Sequence, residues 1–149
     1  MTRRLSLILA LIALLAIALT VIAQDKDNDD ENPSLFVNLT TNEVNHAWMA
    51  VFIAQHALKD KGMPATIFLN AEGVWLADST LPEDSYPPDH NPQTALKQFM
   101  ADGGSVLICP MCMKNVADMT EDRLISGVSL AGENFWKALM ADEVRTLSY

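Results

Sequence analysis

The feature that most constrains this chain is the alternation of short apolar runs with longer amphipathic stretches. Leu35-Phe36-Val37-Asn38-Leu39, Ala65-Thr66-Ile67-Phe68-Leu69 and Ser105-Val106-Leu107-Ile108 are nearly apolar throughout. Runs of this kind suit strands buried on both faces, because a strand with one wet face alternates apolar and polar residues. Between the first two runs lies Glu43 to Lys61, where Val44, Ala47, Trp48, Val51, Ala54 and Leu58 fall close to one helical stripe. Thr40, Thr41 and Asn42 offer caps for its start, and Gly62 is a stop signal. Leu81 to Pro92 contains Pro82, Pro87, Pro88 and Pro92 and reads as an exposed loop. Gln93 to Ala101 reads as the next helix, and Thr120 to Arg123 as one helical turn. Leu124 to Val128 is a strand candidate, Ala131 to Met140 a helix, and Glu143 to Tyr149 a last strand. Strands alternating with helices pack as a parallel sheet with helices on its faces. The expected fold is α/β: a small doubly wound parallel sheet of about five strands, in flavodoxin-like order, with helices on both faces.

The ends of the sequence divide the chain before any fold begins. Arg3 and Arg4 precede Leu5 to Ala23, an almost wholly apolar stretch. That pattern reads as a signal peptide cleaved before Gln24, or as an uncleaved N-terminal anchor. Either reading puts the rest of the chain outside the cytoplasm, in the periplasm or anchored facing it. Gln24 to Pro33 (QDKDNDDENP) has no apolar residue and reads as an acidic, disordered linker. The domain organisation is therefore 1–23 leader or anchor, 24–33 linker and 34–149 folded domain. Losing Arg3 and Arg4 would take the formal charge from −9 to −11. So acidic a surface argues against nucleic acid and anionic membranes as partners.

The only two cysteines are Cys109 and Cys112, in Cys109-Pro110-Met111-Cys112, directly after the third apolar run. A bridge across this spacing closes a very short loop and constrains the unfolded chain little, so a purely structural disulfide is poorly motivated. At a strand end where a helix starts, free backbone N–H groups and the helix dipole stabilise a thiolate. Pro110 suits the first helical position, where its missing N–H costs nothing. In a parallel α/β sheet, ligands gather beyond the carboxyl ends of the strands. That edge would hold Thr40, Thr41 and Asn42 after the first strand, Asn70 to Gly73 after the second and the thiol pair after the third.

Several of these pieces, in this order and spacing, resemble the DsrE/DsrF-like family. They are Leu39-Thr40-Thr41-Asn42, Ala54-Gln55-His56-Ala57-Leu58, Thr66-Ile67-Phe68-Leu69-Asn70 with Gly73-Val74, Gly104 through Cys112, and Leu124-Ile125-Ser126-Gly127-Val128. The resemblance covers about residues 34 to 149. It implies a doubly wound α/β domain, a homo-oligomer of trimer or hexamer type, and sulfur transfer. Sulfur-relay members carry one cysteine after a strand that accepts and passes on a persulfide, and Cys109 matches it by position. Cys112 departs from that single-cysteine pattern, as does Ala117-Asp118, where relay members often have a glycine. The implied activity is that of a sulfurtransferase or sulfur carrier; from its place nearer the strand end Cys109 reads as the nucleophile, and the neighbouring Cys112 as the resolving thiol. The donor and acceptor proteins are not named by the sequence.

Around the pair, Lys114 could stabilise a thiolate, and His46 could face the strand ends as a proton partner. Thr40, Thr41, Asn42, Asn70, Pro110 and Met111 complete the set of site-lining candidates. No resident cofactor is required. The alternative is a Cu(I)-binding or redox-sensing module without turnover, using Cys109, Cys112, Met111 and Met113, because soft sulfur ligands favour Cu(I). Methionine also fills core gaps. Zinc is disfavoured: His46 and His56 lie on one expected helix, roughly 15 Å apart along its axis. Asn38 reads as a buried, hydrogen-bonded side chain, and Trp48, Trp75 and Trp136 as core or oligomer-interface residues.

Overall fold

A computed structural model describes residues 33–149. The leader or anchor expected over 1–23 and the acidic linker up to residue 32 lie outside the described residues. Among the described residues there are five strands, β1 (Leu35–Leu39), β2 (Ala65–Leu69), β3 (Ser105–Ile108), β4 (Ser129–Leu130) and β5 (Arg145–Ser148). The α-helices among the described residues are α1 (Val44–Lys61), α2 (Pro92–Ala101), α3 (Pro110–Asn115) and α4 (Glu133–Leu139). A 3-10 helix spans Ala71–Ala77 after β2. None of these helices is long and apolar enough to cross a membrane.

The five strands form one sheet in the order β4-β3-β2-β1-β5, and every neighbouring pair is parallel. The fold is thus the doubly wound α/β sheet expected. A sheet in the flavodoxin order reverses direction after its second strand; here the chain steps one way from β1 to β4 and then returns to the far side of β1. Right-handed crossovers dictate the consequence. The connections from β1 through β4 all lie on one face, and α4, which leads to β5, lies on the other.

Packing follows this division. Leu35, Val37 and Leu39 of β1, Ala65, Ile67 and Leu69 of β2, and Val106 and Ile108 of β3 join one core with Ala47, Ala50, Val51 and Ala54 of α1 and Leu96 and Phe99 of α2. Each large side chain so buried contributes about 1.5–3 kcal/mol. The alternate residues Phe36 and Phe68 face α4, where the Phe135 ring lies 5.7 and 4.6 Å from theirs. That second layer is one short helix.

Local chemistry moves several boundaries. The cap of α1 is Glu43, whose carboxylate accepts the N–H groups of Asn45 and His46. Thr41 Oγ instead accepts the Glu43 N–H at 3.0 Å. The stop at Gly62 stands, with φ at +64°. Asn91 caps α2, so Pro92 closes the loop by opening the helix, where a missing N–H is harmless. The strand expected over 124–128 is displaced to Ser129–Leu130. Ile125 is buried, with its N–H on the Ala77 carbonyl at 2.8 Å, and Gly127 turns the chain at φ +98° before it reaches the sheet. Ala131 donates to the Ile108 carbonyl at 2.8 Å, which extends the sheet and delays α4 to Glu133.

Candidate functional site

Because the sheet is all parallel, the segments after β1, β2 and β3 share its carboxyl edge. Cys109 leaves β3 in extended conformation and donates its N–H to the Leu69 carbonyl of β2 at 2.9 Å. It is also the N-cap of α3. Its Sγ accepts the Cys112 N–H at 3.4 Å, and Pro110 occupies the first helical position. The apolar strand delivers the cysteine, the proline starts the turn, and the turn aims a backbone donor back at the sulfur. Both thiols are free and partly exposed.

The two sulfurs differ in surroundings. Helix α3 packs on the 3-10 helix, which brings Cys112 against Ala71 and Glu72. Burial pushes the Cys112 thiol up, and the neighbouring Cys109 and the Glu72 carboxylate add to the rise. The Ala71 N–H works against it. Cys112 thus keeps its proton to higher pH than an ordinary thiol does. Ala71 itself lies at φ +45°, a left-handed conformation that is unfavourable for a residue with a Cβ.

The other sequence candidates have varied fates. Asn70 donates from Nδ2 to Asn38 Oδ1 at 2.5 Å, and Asn38 Nδ2 donates to Ser148 Oγ at 3.2 Å. Asn38 is thus hydrogen-bonded as expected, but half-buried rather than buried. Thr40 is committed to Tyr149, whose carbonyl accepts both the Thr40 N–H (2.9 Å) and the hydroxyl (2.6 Å). Thr41 and Asn42 lie in the connection to α1. His46 is exposed on the first turn of α1, with Nδ1 2.7 Å from Glu43 Oε2. Pro110 and Lys114 are exposed, and Met111 is 70% exposed. Met113 and Met119, by contrast, are buried in the core. Met111 and Met113 lie about 200° apart around α3, so they point to opposite sides of it. No cluster of three or more His, Cys, Asp or Glu suited to a metal ion occurs among the described residues. Trp75 packs against the core. Trp48 stacks on Phe52 (5.0 Å, 17°) beside a groove of about 300 Å³ between α1 and α2, and Trp136 is exposed.

One structural element escaped the sequence reading. Asp78, 1% exposed, is the buried charged residue of the described chain. Its carboxylate accepts the Thr80 N–H (2.9 Å) and hydroxyl (2.8 Å) and pairs with the Arg123 guanidinium. Burial would raise the Asp78 carboxyl, but the Thr80 donors and Arg123 outweigh it and hold it below its ordinary value. Arg123 also donates to the Asp118 carbonyl at 3.3 Å. The pair staples the segment after α3 to the end of the 3-10 helix, the two elements that flank Cys112. Asp118 sits at φ +44°, in the left-handed region that glycine adopts most readily.

No protein-family model matches this sequence, and no curated protein matches it. Solved structures do. MTH1491 from Methanobacterium thermoautotrophicum, a protein of unknown function, superposes with a TM-score of 0.62 at 11% identity, over 79% of this chain and 100% of that one. The ychN protein from E. coli superposes with a TM-score of 0.62 at 18% identity, over 77% of this chain and 99% of that one. The fold is DsrE-like. At these identities the likeness extends to the architecture alone.

Proposed function

We propose that this chain is a member of the DsrE-like family that handles sulfur through Cys109 and Cys112, with Cys109 as the attacking thiolate. The observation that carries this reading is the Cys109 sulfur capping α3 and accepting the Cys112 N–H at 3.4 Å. A thiolate there gains a charge-assisted hydrogen bond, while burial pushes the Cys112 thiol up. That asymmetry is what a nucleophile and a resolving partner require.

The Cys109 thiolate attacks the outer sulfur of a persulfide donor, forming a persulfide on Cys109 and releasing the donor thiolate. Cys112, on losing its proton, attacks Cys109 Sγ, closes the Cys109–Cys112 disulfide and expels the outer sulfur as hydrosulfide. The transferred sulfur takes up the two electrons given by the thiol pair, and an external thiol reductant reopens the disulfide. Cys112 thus gates whether sulfur is carried onward or released.

Two further parts of the proposal concern setting. Export to the periplasm, soluble or anchored, draws its support from Arg3, Arg4 and the apolar stretch Leu5 to Ala23. Assembly into a homo-oligomer is supported by Trp136 and Met140, exposed on and just after the single helix of the thin face.

Intact mass of the protein after exposure to polysulfide, without reductant, tests the central claim. The expected result is a gain of about 32 Da, one sulfur atom, that is abolished by Cys109→Ser and prolonged by Cys112→Ser. A loss of about 2 Da reversed by dithiothreitol, with no sulfur adduct even in Cys112→Ser, would replace sulfur carriage with thiol–disulfide exchange. Neither change in mass, with Cu(I) bound and lost on Met111 substitution, would favour the copper alternative.

A further inference from the structure

The amide of Asn70 stands out at this edge because it is held in an unusual way. Asparagine at a helix N-cap ordinarily folds its side chain back to accept an N–H from the first turn. Asn70 occupies the N-cap position of the 3-10 helix yet makes no such bond. Its side chain reaches instead across to β1, where Nδ2 donates to Asn38 Oδ1. Asn38 is held in turn by donating to Ser148 of β5. As placed, the two bonds run in one direction, Asn70 donating to Asn38 and Asn38 donating to Ser148.

The register places this row beside the reactive sulfur. Leu69 pairs with Ile108, so the next residues, Asn70 and Cys109, are neighbours across β2 and β3. Both remain in extended conformation, with φ −145° and −69° and ψ 176° and 113°. Side chains alternate along a strand. Cys109 and Asn70 therefore leave the sheet on the face of Leu107 and Phe68, as does Asn38. Cys109, Asn70, Asn38 and Ser148 thus step across four adjacent strands, uncharged and polar, along one edge of one face.

We infer that Asn70 is a positioning residue for Cys109, its oriented amide supplying an uncharged hydrogen-bond donor to the anionic sulfur formed there. An amide nitrogen has two N–H groups. Asn38 takes one, and the second is available to the Cys109 thiolate or to the outer sulfur of a persulfide on it. Asn38 and Ser148 act through Asn70 by holding its plane. An uncharged donor suits a sulfur that must be passed on, because a fixed cation would bind the anion more tightly before transfer as well as during it. Of the titratable groups here, Cys112 on α3 interacts with Cys109, Glu72 on the 3-10 helix acts on Cys112, and Lys114 lies further along α3.

This inference rests on Cys109 being the reactive thiol, and the test separates the two. In a Cys112→Ser background, the rate of Cys109 alkylation by iodoacetamide is followed across pH in the folded protein, with the denatured protein as reference. Asn70→Ala is expected to slow alkylation at neutral pH by about tenfold, the size of one hydrogen bond to a charged group. Asn70→Asp, nearly the same shape, is expected to move the pH–rate profile further toward alkaline pH. Asn38→Ala should give a smaller shift in the same direction, through loss of orientation. Circular dichroism identifies variants that fold. If Cys109 reacts fast in the parent and the profile is unmoved in folded Asn70→Ala and Asn70→Asp, the role of Asn70 is wrong and the thiol reading stands. If Cys109 in the parent reacts no faster than in the denatured chain, the thiol reading fails and takes this inference with it.

Discussion

Asp78 and Gly73 show how far single residues decide the shape of the site. Removing the Arg123 side chain leaves Asp78 buried with only its Thr80 donors, and since Arg123 is 32% exposed the cost lies below the ~3–5 kcal/mol of a fully buried pair. Arg123→Ala should therefore lower the melting temperature by several degrees, and because Arg123 anchors the segment after α3, it should also speed alkylation of Cys112. The pH dependence has a definite sign. Asp78 is held below its ordinary value in the folded chain, so its stabilisation is present above the unfolded carboxyl pKa of about 3.9 and is lost as pH falls through the folded value. Acid titration of stability should thus show a drop below about pH 4 in the parent that is blunted in Arg123→Ala. Gly73 makes a steric demand. A Cβ there would meet the Leu39 carbonyl oxygen at 2.3 Å. Gly73→Ala should cost about 1–3 kcal/mol in thermal or urea unfolding, since the neighbour is backbone and cannot swing away.

At the scale of elements, what the sequence revealed and what it hid divide along physical lines. Strands β1, β2 and β3 were legible to the residue because buried parallel strands must be apolar on both faces, and Gly62 marked the end of α1 because only a left-handed residue fits there. The cap of α1 was not legible: threonines at 40 and 41 are good caps by type, but Tyr149 engages one and Glu43 the other. Strand β4 was misplaced because Ile125 is apolar for a different reason, its packing on the 3-10 helix. The cysteine pair was visible as a spacing, and its place at a strand end followed from the sheet. The difference between the two thiols was not visible, for it arises from the fold of 71–77 onto α3. The ion pair of Asp78 and Arg123 joins positions far apart in sequence and left no local pattern. Likewise the row from Asn70 to Ser148 exists only through the strand order, which no single segment encodes.

For the whole molecule, the sheet has a thick face and a thin one. The thick face carries three helices and the core; the thin face has α4 over Phe36 and Phe68, with Trp136 58% exposed. If self-assembly uses this face, Trp136→Glu should reduce the mass seen by light scattering while leaving the circular dichroism and Cys109 alkylation unchanged. An unaltered mass would move the interface elsewhere. The strand order carries another consequence, for the order in which the chain is made. β1 is the first strand of the described domain, yet one of its two neighbours is β5, the last, in register from Leu35 with Arg145 to Asn38 with Ser148. Until residues 145–148 emerge, β1 has an open flank of unpaired N–H and C=O groups, the kind of edge that templates aggregation. Until β5 is in place, β1 must hold that flank exposed, and protecting the edge becomes a task for whatever accompanies the nascent chain.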